Sequence, residues 1–123
     1  MLTAEDRLQN MLDMALQLTE CVERRNISES DVVNDVDVRW MVSTPIAYLS
    51  EQAARMLSEH RDVAERLDAI DWYSLRGLRN RIVHDYDGVN FSLLASFVLH
   101  DVPDLIPELE RALASVSEDC HES

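Results

Sequence analysis

Two glycines and three prolines in 123 residues leave this chain few places to stop or turn a helix. Those two residue types cost most in a helix interior, and Ala, Leu, Glu and Arg, which helices accept best, are abundant. Apolar residues recur at spacings of three and four, with no strand-like alternation of any length, no internal repeat and no low-complexity linker. The chain therefore reads as all-α: a single domain over residues 1–116, an antiparallel bundle of four or five helices, with a frayed tail at 117–123. A chain of this length encloses roughly two-thirds of its unfolded surface around one core.

The spacing predicts a first helix from Thr3, an N-cap beside the acidic Glu5 and Asp6, to about Arg24 or Arg25. Its apolar face is Leu8, Met11, Leu12, Ala15, Leu18 and Val22. After a polar break at 26–29, a second helix is expected from Ser30 to Ser58, with Val33, Val36, Trp40, Ala47, Ala54 and Leu57 as one stripe, broadened by Met41, Pro45, Leu49 and Met56. Pro45 should kink that helix or split it in two. Residues 60–68 read as a short exposed helix or loop. Asp71 is the cap expected for a third helix carrying Leu75, Leu78, Ile82 and Val83, which stops near Tyr86 because Asp87 and Gly88 follow. Asn90 caps a fourth. Pro103 and Pro107 mark a break or bend before a last amphipathic stretch from Leu105 to Val116.

The formal net charge of −13 excludes broad, sequence-independent binding to nucleic acid, which needs many clustered cations. There is no lysine, so every fixed side-chain cation is an arginine, the residue suited to two-point contacts with oxyanions. Cys21 and Cys120 form no CxxC pair and read as reduced thiols rather than as a zinc or redox site. His60 and His100 have no partner at metal-ligand spacing, and no glycine-rich phosphate loop exists. No metal and no cofactor is called for. With no basic leader and no apolar run of membrane-spanning length, the expectation is a cytoplasmic protein that does not engage a membrane.

Against that acidic background, the window from Trp72 to His84 holds Arg76, Arg79 and Arg81 and no acid. Arg79 can grip a phosphodiester and stabilise the extra charge of a pentacoordinate phosphorus. His84 can move a proton at neutral pH, and Asn80 can bond a phosphate oxygen or orient the histidine one turn on. Arg76 and Arg81 are candidate phosphate contacts. Because ribose supplies its own 2′-hydroxyl nucleophile, a metal-free Arg/His site suits RNA better than DNA. On an ideal helix Arg79 and His84 point about 140° apart. Either the helix unwinds near its end or a second copy completes the site, and a twofold homodimer is favoured. The competing account is a solvated helix face whose arginines pair with acids on neighbouring helices. Glu51 reads first as a solvated carboxylate, with orientation of a cleft residue as the alternative. Trp40 and Trp72 read as core or dimer-interface anchors rather than base-stacking platforms.

The run from Leu75 to Asn90 resembles the signature of the HepT-like branch of the HEPN superfamily, Arg-x-x-x-x-His-x-Tyr with a polar residue after the arginine. Trp72, the turn at 88–90 and the Pro-containing segment from Leu99 to Leu109 extend the likeness, and residues 49–58 share it more loosely. The resemblance implies a HEPN-like helical bundle that dimerises around an RNA-cleaving cleft, with Arg79 and His84 catalytic and Asn80 beside them. It further implies a toxin paired with a nucleotidyltransferase antitoxin of the MntA type, which transfers AMP to the motif tyrosine, here Tyr86. A bulky, negatively charged group two residues from His84 would obstruct RNA there. A catalytically silent helical module that docks a nucleotidyltransferase or a nucleotide is the alternative reading.

Overall fold

Thr3 and Asp6 exchange bonds, the Asp6 amide donating to the Thr3 hydroxyl and the Thr3 amide to the Asp6 carboxylate, both at 3.0 Å, so the first helix opens with a closed capping box. In this computed structural model residues 1–84 and 91–122 are described, with side chains for 1–78, 80–81 and 91–117. The elements in order are α1 (Ala4–Arg24), α2 (Glu29–Asn34), α3 (Val36–Glu59), α4 (Arg61–Arg66), α5 (Trp72–His84), α6 (Phe91–Ser96), a π-helical turn (Phe97–Asp101) and α7 (Val102–Glu122). Among the described residues there is no strand. The helical backbone runs on to Glu122, where the sequence suggested fraying after 116.

Where helices stop, local chemistry accounts for it. Asn26 takes the left-handed conformation (φ 53°) that asparagine tolerates better than most side chains. Ile27 then donates back to the Val22 carbonyl at 3.0 Å, closing the end of α1. The long second helix expected from 30 to 58 is divided, and the division falls at Asp35 rather than at Pro45. Asp35 is extended (φ −102°, ψ 112°), and its carboxylate accepts from the amides of Asp37 at 2.9 Å and Val38 at 3.4 Å. An aspartate that can cap the helix ahead of it outcompetes continuation of the one behind. Pro45 remains inside α3. Pro107 likewise lies within α7. The π turn comes just before Pro103, with the Val102 amide reaching Phe97, five residues back. Proline has no N–H to give and its ring presses on the preceding turn, so a widened turn there is local relief.

Three bonds fix the antiparallel packing. Arg7, at the start of α1, meets Glu59 at the end of α3, while Cys21, near the end of α1, approaches Met41 at 3.9 Å. Ser117, late in α7, donates to Glu5, early in α1, at 2.8 Å. α5 packs along α3, and α2 packs on α6. Leu8, Met11, Ile46, Leu49, Met56 and Leu109 are fully enclosed at the centre. Each such side chain contributes about 1.5–3 kcal/mol relative to exposure. The core stripe of α3 is Val42, Ile46, Leu49, Ala53 and Met56, with Leu57 also buried, so of the residues read off the sequence Leu49, Met56 and Leu57 face inward. Val36 and Trp40 fall outside it, 53% and 68% exposed. Trp72 is buried, its indole N–H donating to Leu67 at 3.2 Å.

Candidate active site

The helix that bears the motif is held at its start and along its length. Asp71 caps it, accepting from the Ser74 amide at 3.1 Å and the Ser74 hydroxyl at 2.7 Å. Those bonds from Ser74 hold the Asp71 carboxyl below its ordinary range, with a smaller pull from Arg81. Trp72, Leu75 and Leu78 bury one side of α5. The buried Ser50 on α3 donates to the Arg76 carbonyl at 2.9 Å, tying the two helices together at mid-length. With that side fixed, Arg76, Asn80 and Arg81 are exposed on the remainder.

Arginines elsewhere in the molecule sit in a different chemical setting. Arg7, only 8% exposed, donates to Glu59 at 2.7 and 3.1 Å and to Gln52 at 3.0 Å. Arg55 pairs with Glu51 at 3.0 Å and with Glu59 at 3.5 Å. The Arg76 guanidinium instead lies 5.1 Å above the Tyr73 ring, and that of Arg39 lies 4.1 Å above the Phe91 ring. Neither makes an ion pair with an acid among the described residues. A ring face attracts a cation without neutralising it, so such an arginine keeps its charge for an incoming anion.

Of the residues singled out by sequence, Asn80, Arg76 and Arg81 share the exposed part of α5. Arg79 and His84 belong to the same helix, but their side chains lie outside the described residues, as do Tyr86, the turn at Asp87 and Gly88, and Asn90. Glu51 is engaged by Arg55 within its own helix. His60 bonds the Leu2 carbonyl at 3.0 Å, near the start of α1 and remote from the motif. The described grooves lie where Arg66, Leu67 and Ile70 meet α7. That is about 20 Å along α5 from His84 at the usual helical rise. Of the two readings of Trp40, core or dimer-interface anchor, its exposure removes the first. Arg39 was missed from sequence. The signal was present in helical phase: Arg39 is eleven residues before Ser50, about 20° from it around α3, and so on the α5-facing side. Among the described residues, no three His, Cys, Asp or Glu side chains converge as metal ligands would, and no helix is long and apolar enough to cross a membrane.

Residues 3–112 match the family model described as ribonuclease HepT-like. The chain is 29% identical over 86 residues to a Methanocaldococcus jannaschii protein named "Putative RNase MJ1380", covering 70% of this chain and 76% of that one. It is 26% identical over 100 residues to "Putative RNase TTE0752" of Caldanaerobacter subterraneus subsp. tengcongensis, covering 78% and 87%. No solved structure gives a significant match.

Proposed function

This chain belongs to the HepT-like ribonuclease family, and from that premise we propose that it is a metal-independent endoribonuclease toxin working through Arg79 and His84. The observation that carries the proposal is the acid-free face of α5. Leu75 and Leu78 turn one side inward, and Arg76, Asn80 and Arg81 remain exposed in a chain of net charge −13. An RNA strand laid across that face meets cations where the rest of the surface repels it.

In the proposed reaction the His84 imidazole removes the proton of a ribose 2′-hydroxyl. The freed oxygen attacks the adjacent phosphorus, and the bond to the 5′-oxygen of the next nucleotide breaks. The leaving oxygen takes a proton from a protonated imidazole, and the strand ends in a 2′,3′-cyclic phosphate and a 5′-hydroxyl. Arg79 stabilises the pentacoordinate phosphorane, and Asn80 positions a phosphate oxygen or the imidazole. Because residues five apart on an ideal helix diverge by about 140°, a second copy is taken to supply the complement. The exposed Val36 and Trp40, on the helix that packs along α5, are the surface proposed to join the copies. Transfer of AMP to Tyr86 by a nucleotidyltransferase antitoxin is the proposed off-switch. The acidic surface favours the second reading, a docking module for that partner without cleavage of its own.

The test is incubation of purified protein with end-labelled single-stranded RNA in the presence of EDTA, beside Arg79→Ala and His84→Ala. Wild type should yield cyclic-phosphate ends, and each variant should lose about 10²–10⁴ in rate. Intact RNA with wild type, or equal cleavage by all three, refutes the nuclease. Mass spectrometry after co-expression with the antitoxin should find AMP on Tyr86; neutralisation with an unmodified tyrosine refutes the switch.

A further inference from the structure

We infer that Arg39 is a phosphate-binding residue of the RNA cleft, held ready on the face of Phe91; the inference rests on the nuclease reading above. Three observations meet at this side chain. Its guanidinium carbon stands 4.1 Å from the Phe91 ring centre, and Phe91 is the first residue of α6, directly after the motif segment. Its Nε is enclosed and has no hydrogen-bond partner, and no described acid pairs with it. A charged N–H left without an acceptor in a folded protein costs free energy, which a role in binding would account for.

The third observation is position. Ser50 bonds the Arg76 carbonyl, which sets the register of α3 against α5. The two helices run in opposite directions, joined through the short α4, so moving from Ser50 toward Arg39 parallels moving from Arg76 toward His84. Those distances are about 16 Å and about 12 Å at the usual rise, and Arg39 stays within about 20° of the Ser50 direction. Arg39 therefore stands at the motif end of the α3–α5 seam, within about one helical turn of the level of His84. A phosphate next to the scissile one along an RNA strand is the group it would hold, with the ring fixing the plane of the guanidinium for two-point contact.

The probe is a labelled single-stranded oligonucleotide of mixed sequence with 2′-O-methyl riboses, which presents the phosphates but lacks the nucleophile. Its affinity is measured across a salt series for wild type, Arg39→Gln, Arg39→Lys and Phe91→Leu. Loss of one phosphate contact should weaken binding by Arg39→Gln about tenfold and reduce the slope of log affinity against log salt by about 0.7. Arg39→Lys should restore the slope, and Phe91→Leu should lower affinity while keeping it. A purely structural role would leave the salt slope unmoved. Wild-type affinity and slope in Arg39→Gln overturn the inference. Should that variant not fold, wild-type affinity in both Arg39→Lys and Phe91→Leu does so. If wild type cleaves RNA and these variants bind normally, only this inference falls; if wild type neither binds nor cleaves, the nuclease reading falls with it.

Discussion

The two ends of α3 treat arginine in opposite ways. At the C-terminal end, Arg55 and Arg7 share Glu59, with Gln52 accepting from Arg7 and Glu51 from Arg55. At the N-terminal end, Arg39 faces a phenyl ring, and its neighbour Trp40 stands in solvent. Carboxylates are not scarce, since the chain carries 24 acids to 11 arginines. An arginine without an acid is therefore a local property of this end, matched by the acid-free run from Trp72 to His84 on the helix alongside. The first end joins α1 to α3 and is closed by charge pairing. Among the described residues the second leaves its cations unpaired, which suits the phosphate contacts proposed for it.

The sharpest way to separate the ends is to remove one functional group from each. His84→Ala should lower RNA cleavage by about 10²–10⁴, read by gel assay. Arg7→Ala should leave Gln52 without its donor and the part-buried Glu59 with Arg55 alone, and cost about 3 kcal/mol in urea unfolding. Trp40→Ala should raise the dissociation constant of the proposed homodimer about 30-fold by sedimentation while the helical circular dichroism is unchanged. An unaltered association state would remove Trp40 from the interface.

Two smaller effects probe α5 itself. Asp71→Ala should cost about 1 kcal/mol at neutral pH through loss of the cap. Because bonds from Ser74 lower the Asp71 pKa from its ordinary 3.8, its stabilisation is full above that value and is lost as pH falls through the lowered one. Urea titrations should thus show wild type and variant converging below about pH 4. Gly77→Ala should stabilise the protein by about 0.5–1 kcal/mol, since among the described residues nothing beyond the adjoining residues and the helix's own backbone lies within 4 Å of the added methyl, and glycine is a poor helix former. A fall in melting temperature would show that α5 needs that glycine.

Much of this architecture is legible without coordinates. The cap at Thr3, the face Leu8, Met11, Leu12, Ala15 and Leu18 and the cap at Asp71 follow from local chemistry and spacing, whereas 60–68 read equally as a short helix or a loop and the helix at 61–66 is one of the two. What spacing could not arbitrate was α3, which carries two overlapping apolar stripes. Only its neighbours decide that Ile46 and Leu49 turn inward while Val36 and Trp40 do not. Asp35 was similarly ambiguous, a helix-interior residue by pattern and a cap by conformation. For the site, the Arg79–Asn80–His84 pattern was legible as a family signature. Arg39 carries no motif, and its relevance depends on Phe91, more than fifty residues on, and on the register that Ser50 sets.

The π-helical turn at Phe97–Asp101 governs the azimuth of everything after it. Leu94, Val98 and Val102 are spaced by four and all face inward. In an uninterrupted α-helix each such step drifts about 40° around the axis. The wide turn absorbs that drift, so Leu109, Ala112 and Val116 arrive in line with α1. Excising one residue from 97–101 would tighten the turn and swivel the whole of α7, carrying Ser117 away from Glu5 and spoiling the fit at the far end of the molecule.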